Sequence, residues 1–442
     1  MNYEGDDRRP TSLPSEILIN ILSFLPTKSA VATAILSRSW RHLWTHITAL
    51  RFTITDFPEH KFNAIFFFII RRVSWRHINT IELTINAHPN VRDPSSLTRL
   101  IHDIVYNGTN IKHLKVIYEN YKLCTISLPT SIFKKQSLEA LEVYAPNGVS
   151  LGDVKVLHKN PNLRKLLITI REHHLVIFDK LLKSWPLLEI LHVHFNMVAE
   201  RNHPIKIISQ NLKWLSVNLV GEECFIDTSK IMLDTPKLEY FEVHSPIMVK
   251  FCFLKTPSGL LKAKLFMGDG NDQSLNLYSN YVMSVFNPIL RVKTLKLSGD
   301  LLIALANLDV KVEVFHKLSH LEVGLSCRRS LGGVRRFLRQ CPNVECLVLK
   351  KTCRAKWDGL NWSQINFLPL RDKIERIELW NFDGSGIICY IFSVAKGLKK
   401  LDIIIQIQNN GESANLKKIE ISQELLALSK ELPSCEINIL LY

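Results

Sequence analysis

"PLLEILHVHFN", Pro186 to Asn196, places a proline first, then apolar residues at Leu188, Leu191, Val193 and Phe195, then an asparagine. From Leu191 to Phe195 the apolar residues alternate with His192 and His194, which is the period of a strand with one covered face. The pattern L-x-x-L-x-L is not unique to this stretch. "LEALEV" at Leu138, "LRKLLI" at Leu163, "LKWLSV" at Leu212 and "LEYFEV" at Leu238 repeat it, with successive spacings of 25, 25, 24 and 26 residues when Leu188 is included. It returns as "VKTLKL" at Val292, "LSHLEV" at Leu318, "VECLVL" at Val344, "IERIEL" at Ile374 and "LKKLDI" at Leu398. Earlier copies are "INTIEL" at Ile78 and "IKHLKV" at Ile111, and a poor one, "LLKAKL", starts at Leu260, making about thirteen in all.

Pro161, Pro186, Pro236 and Pro342 each stand two residues before a first anchor. Proline has no amide hydrogen and biases its predecessor away from helix, so each closes the segment before it. Helix-compatible stretches such as "VIFDKLLKSW" (Val176 to Trp185) and "GGVRRFLRQC" (through Cys341) lie between copies. The unit is a short strand, a turn, and a helix or irregular return. One unit cannot bury its own apolar face, so neighbours must stack. A period near 25 with this strand pattern resembles the leucine-rich repeat, which implies a curved solenoid with a parallel sheet on its concave face. The family's asparagine, eight positions after the first anchor, survives only at Asn196, while Pro146, Arg171, Val220, Pro246 or Thr352 fill the slot elsewhere. An irregular solenoid follows.

The chain of 442 residues, 46% apolar and 22% charged, has the balance of a folded protein and no apolar run near the roughly twenty residues of a membrane span. "AIFFFII", Ala64 to Ile70, ends at Arg71 and Arg72 and reads as a buried helix. The first ten residues carry Asp and Glu where a signal peptide would be basic and then apolar, which points to an intracellular protein of the nucleus or cytoplasm. Nine scattered cysteines without a C-x-x-C pair fit buried thiols in a reducing compartment. The net charge of +15 favours acidic partners without naming one. Its densest region runs from Cys327 to Lys356 and contains Arg328, Arg329, Arg335, Arg336, Arg339, Lys350, Lys351, Arg354 and Lys356. A solvated helix back or a polyanion site would each account for it.

"LPSEILINILSFLPTKSAVATAILSRSWRHLW", Leu13 to Trp44, concentrates apolar surface in the first tenth of the chain. Ile17, Leu18, Ile21, Leu22 and Leu25 fall along one side of a helix that starts at Leu13-Pro14-Ser15 and ends at Pro26. Thr27 or Ser29 can cap a second helix carrying Val31, Ala34 and Ile35. Ser37 can cap a third, with Trp40 and Trp44 one turn apart. The stretch resembles an F-box over its whole length, through "LP..I", "LSFLPTK" and "LS..WR.LW", with Arg38 and Ser39 where a basic pair is common. "IERIELWNFDGSGIICYIFSVAKGLKKLDI" followed by "LALSKELPSCEINILL" resembles the FBD region that closes many plant F-box/leucine-rich-repeat proteins, although "CRAKWDGLNWSQINFLPL" replaces its usual lead-in. The expected organisation is α/β: a flexible tail at 1–10, a three-helix F-box at 11–50, repeats at 51–360, and final repeats with the FBD-like region at 361–442.

This resemblance implies a substrate receptor that performs no chemistry. An F-box docks the Skp adaptor and, through it, the cullin and RING subunits of a ubiquitin ligase. Leu13, Pro14, Ile17, Leu18, Ile21, Leu22, Leu25 and Pro26 match the family's first contact segment, and Val31, Ala34, Leu36, Trp40 and Trp44 match the second and third. Trp44 and Ile35 can also face the first repeat and cap the solenoid.

Residues flanking the third anchor point out from the sheet, which makes Tyr144, His192, His194, Glu242, His244, Lys296, Glu322 and Trp380 candidates for substrate contact, with the loop from Gly268 to Asn276 beside them. His192 and His194 share a face but have no third ligand, so no metal and no cofactor are expected. Cys327, Cys341, Cys346 and Cys353 are not spaced as a zinc framework. The other readings are a non-ligase scaffold and a co-receptor assisted by a small molecule or polyanion, for which the basic cluster would suit. Nothing resembles a P-loop, a G-x-S-x-G elbow or a helix-turn-helix, so neither an enzyme nor a nucleic-acid binder is indicated.

Overall fold

All thirteen first anchors, from Ile78 to Leu398, lie in the interior. The computed structural model describes residues 13–53, 55, 61–85, 94–119, 125–151, 162–171, 174–196, 204–220, 230–247, 249–268, 275–307, 312–353, 357, 362, 373–382, 386–405 and 435–441. The chain divides into two units, Met1–Asn196 and Met197–Tyr442. Both are built from repeats of the leucine-rich type. The acidic tail at 1–10, most of the loop after Gly268, Arg354 and Lys356, and the "LALSKELPS" stretch lie outside the described residues.

In the first unit, helices α1 (Ser15–Phe24) and α2 (Thr27–Ala32) precede the strands β1 (Ala49–Thr53), β2 (Thr80–Ile85), β3 (His113–Tyr118), β4 (Ile126–Ser127), β5 (Ala140–Tyr144), β6 (Val149–Ser150), β7 (Lys165–Arg171) and β8 (Ile190–Asn196). The long strands pair in parallel in the order β1, β2, β3, β5, β7, β8. Their register places Leu50, Ile81, Leu114, Leu141, Leu166 and Leu191 in one interior row. β1 is a further copy of the pattern, "ITALRF" from Ile47, whose anchors Ile47, Leu50 and Phe52 are all buried. The returns include α3 (Phe62–Ile70), α4 (Pro94–Asn107) and α5 (Leu175–Ser184). α3 is only half inside: Phe66, Ile69 and Ile70 are buried, while Phe67 and Phe68 are on its outer side, with Arg72 over the Phe68 ring.

The second unit carries a parallel sheet of β10 (Trp214–Val220), β12 (Tyr240–Ser245), β14 (Lys262–Met267), β15 (Thr294–Leu297), β16 (His320–Leu325), β17 (Cys346–Lys351), β18 (Arg376–Trp380), β19 (Lys400–Ile405) and β20 (Glu436–Leu441). The sequence predicts helical or irregular returns. Instead β9 (Ile205–Ile208), β11 (Lys230–Asp234) and β13 (Lys250–Phe253) form a second parallel sheet. Their apolar residues alternate inward, at Ile205 and Ile207 and at Ile231 and Leu233, and that period favours strand over helix. Helices α6 (Leu275–Phe286), α7 (Gly299–Asn307), α8 (Ser330–Leu338) and α9 (Gly386–Val394) supply the later returns. The FBD-like region contributes β18, α9, β19 and β20, with β20 paired to β19.

The surviving asparagine bonds a turn carbonyl, and hydroxyls do so at two other turns. Asn196 donates from Nδ2 to the Pro146 carbonyl at 2.8 Å. Elsewhere Ser298 Oγ donates to the Met267 carbonyl at 2.8 Å and accepts from its amide at 3.2 Å, and Thr352 Oγ1 donates to the Leu325 carbonyl at 3.0 Å. Turn carbonyls and amides that cannot reach water are thereby satisfied. No helix among the described residues is long and apolar enough to cross a membrane.

Candidate adaptor and partner surfaces

The N-terminal module has a fastened side and an open side. Pro14 caps α1 with its carbonyl, accepting from the amides of Ile17 at 3.0 Å and Leu18 at 3.1 Å. Ser23 and Thr27 then tie the module to the first strand. Ser23 Oγ accepts from the Thr48 amide at 2.9 Å, Thr27 Oγ1 accepts from the Arg51 amide at 2.7 Å, and the Arg51 guanidinium donates to the Ser23 carbonyl. Arg51 also pairs with Glu82 on β2 at 3.2 Å. Leu22 and Ala30 are fully enclosed on this side, and Trp44 is only 6% exposed.

The open side is apolar. Leu13, Ile17, Ile21 and Phe24 follow each other at helical spacing and are all exposed, Phe24 at 80%. Beyond α2, Ile35 is 87% exposed and Leu36 is exposed with it. Pro14 and Pro26 are exposed, and Leu18, Leu25, Val31, Ala34 and Trp40 are half-buried. Four readings of the sequence need correcting. Ile35 does not cap the repeats, because the short 3-10 turn Thr33–Ile35 directs it outward. Leu22 and Trp44, grouped with the contact residues, are instead buried within the chain, where α1 packs on the Leu43–His46 segment. The third helix is replaced by turns and the 3-10 segment Leu43–His46, since Ser37 Oγ bonds to Ser39 Oγ at 2.7 Å rather than capping. The second helix starts after Pro26 without a side-chain cap, because the Thr27 hydroxyl is engaged by Arg51. Phe24, absent from the sequence-based set, was legible as the next position of the Ile17–Ile21 stripe.

The outward residues of the strands are half-exposed, and most of their charges are matched. In the first unit Lys165 holds Glu142 at 2.7 Å, and Tyr144 meets the His194 ring edge-on at 5.1 Å; His192 stands two residues before His194 on the same face. In the second unit Glu242 accepts from Tyr240 Oη at 2.6 Å and His244 Nε2 at 2.9 Å, with Lys264 at 3.6 Å. The His244 hydrogen bond, aided by Tyr240 and Lys264 and opposed by burial, holds the Glu242 carboxyl down at about 2. Tyr240 stacks on Trp214 at 3.5 Å, and His244 stacks on Phe266 at 4.7 Å.

Farther along, Glu322 lies between Lys296 and Lys350, the latter at 2.9 Å. Burial would raise its carboxyl, but those two ammonium groups outweigh it and hold the group below its ordinary value. Lys350 also sits 4.2 Å over the Trp380 ring. Sequence reading missed Trp214, Lys264 and Phe266, because the copy at Leu260 is irregular and Trp214 stands at a strand's first residue. Among the described residues no cluster of three His, Cys, Asp or Glu is placed to hold a metal.

Residues 11–48 match the family model described as F-box domain. The chain carries an F-box at its N-terminus. It is also similar along nearly its whole length to three proteins of Arabidopsis thaliana. An FBD-associated F-box protein is 26% identical over 98% of this chain and 96% of its own length. F-box/LRR-repeat protein 13 is 26% identical over 97% of this chain and 96% of its own length. A further F-box/LRR-repeat protein is 23% identical over 98% of each.

Proposed function

We propose that this F-box protein is the substrate-receptor subunit of an SCF-type ubiquitin ligase. Residues 11–50 dock the Skp adaptor, and through it the cullin and RING subunits; the repeats at 51–360, continued by the FBD-like segment at 361–442, recognise a protein substrate in the nucleus or cytoplasm. The receptor itself transfers nothing.

One observation carries the reading. Leu13, Ile17, Ile21, Phe24, Ile35 and Leu36 are all exposed within a module whose other side is hydrogen-bonded into the first repeat. An apolar patch so concentrated is the signature of a protein-binding surface. Large apolar anchors dominate such interfaces. On the substrate side, the support is the mixed outward face, where Tyr144, His192, His194, Glu242, His244, Lys296, Glu322 and Trp380 offer rings and polar groups together.

The test is co-expression of the full chain with a Skp adaptor, beside the variant Ile17→Glu/Ile21→Glu. Both positions are exposed, so the variant retains its thermal midpoint. Its affinity for the adaptor falls by about a hundredfold or more. Equal recovery of adaptor with both chains would remove the ligase reading and leave the scaffold.

A further inference from the structure

Helix α8 and its flanks carry five arginines and no lysine: Arg328, Arg329, Arg335, Arg336 and Arg339. Its inner side, Leu331, Val334, Phe337 and Leu338, is buried, so the arginines are gathered on one outward stripe. Arg329, Arg335 and Arg339 make no ion pair among the described residues. The contrast with the sheet of the same unit is sharp, since Glu242, Glu322, Glu378, Asp402 and Glu436 there each hold a cation. Even the nearby Asp300 of α7 is occupied, accepting from Ser326 Oγ at 2.6 Å.

Two further features sit beside the stripe. Gly332 is exposed inside α8, and a Cβ built on it meets nothing within 4 Å. Packing does not demand a glycine there, unlike Gly333, whose Cβ would lie 2.2 Å from the Leu302 carbonyl oxygen. Glycine is a poor helix former, and its use here keeps the floor between the arginines bare, so that another backbone can approach. Next to it, Leu305, Val312 and Phe337 line a recess of only about 20 Å³, room for one water, with Arg336 and Gln340 at the rim. The rim is set by Arg336, which donates to the Leu305 carbonyl at 3.3 Å.

We propose that this stripe docks a short acidic segment of a protein partner, with carboxylates on Arg329, Arg335 and Arg339. Arginine's planar fork suits carboxylates, which it can bind through two parallel hydrogen bonds. The nine residues of α8 span about 13 Å, the reach of roughly four extended residues. A nucleic acid fits less well, because the neighbouring helix α7, "GDLLIALAN", adds no cation and the stripe bears no exposed ring on which a base could stack. The site is independent of the adaptor reading.

The probe is a fluorescein-labelled ten-residue peptide of alternating Glu and Ser, titrated into the full chain by anisotropy. Arg335→Glu/Arg339→Glu weakens binding by about tenfold or more, whereas Lys180→Glu/Lys396→Glu, an equal change of net charge elsewhere, shifts it by less than about twofold. Should the reversed arginine variant lose its helical circular dichroism, Arg335→Gln/Arg339→Gln takes its place with the same expectation. Equal loss in the arginine and lysine variants, no loss in the arginine variant, or tighter binding of a single-stranded oligonucleotide of the same charge would each overturn the proposal.

Discussion

Ile17 and Ile168 are the same side chain in two settings. Ile168 on β7 is fully enclosed, with the repeats before and after it supplying its neighbours, whereas Ile17 on α1 is 45% exposed although its helix is just as apolar. A strand in a stack has covering partners by construction. A helix at the end of the stack has them on one side only, and the other side is left open to water. Truncation therefore has unequal consequences. Ile168→Ala leaves a cavity and lowers stability by about 2–5 kcal/mol, while Ile17→Ala costs less than about 1 kcal/mol. Urea denaturation of the two variants measures the difference. A loss at Ile17 as large as that at Ile168 would mean that the outer side of α1 is already covered, and the distinction between the two regions would be gone.

A second contrast lies between the apolar module and the charged outward face of the strands. There the side chains complete one another, and Glu242 is the clearest case. Its carboxyl titrates at about 2 in the folded chain, against an ordinary value of 4.5. The stabilisation is complete above about pH 4.5 and is lost as the pH falls towards 2. Its size is on the order of 3 kcal/mol, since the side chain is mostly shielded from water and little of the effect is screened. Stability measured down that acid limb flattens in Glu242→Gln, which no longer has the proton to gain. An unchanged limb in the variant would show that the Tyr240–Glu242–His244 cluster is not what fails in acid.

The repeat was legible because its signal is periodic: each first anchor had to be buried, and each is. The copy at Ile47 was hidden by a polar neighbour pattern and by its place against the F-box, although Ile47, Leu50 and Phe52 obey the rule. The strand returns at Ile205, Lys230 and Lys250 were missed because a leucine-rich repeat sets the strand but leaves the return free, and short alternating runs there overrode the expectation of helix. In the F-box the apolar content was plain, but its division into inner and outer sides was not. Leu22 and Ile21 are adjacent and equally greasy, and only the ties from Ser23 and Thr27 to β1 decide that Leu22 turns in and Ile21 turns out. The charge partners on the strands could not be read at all, since Glu242 meets Lys264 through a register that crosses an irregular repeat.

That register also sets the size of the smallest effect. Lys165 on β7 lies opposite Ala140 of β5 and reaches diagonally to Glu142 at 2.7 Å, with side-chain exposures of 36% and 21%. A pair so open to water is worth little, and a double-mutant cycle with Lys165→Met and Glu142→Gln gives a coupling of about 0.5 kcal/mol, falling further in high salt. The value matters for what the face can do. Weakly coupled charges can exchange one partner for another at small cost, so the proposed substrate would displace a lysine from its glutamate without unfolding the repeat. A coupling above about 1.5 kcal/mol would instead make the pair part of the scaffold, and the outward charges would then serve the fold rather than a guest.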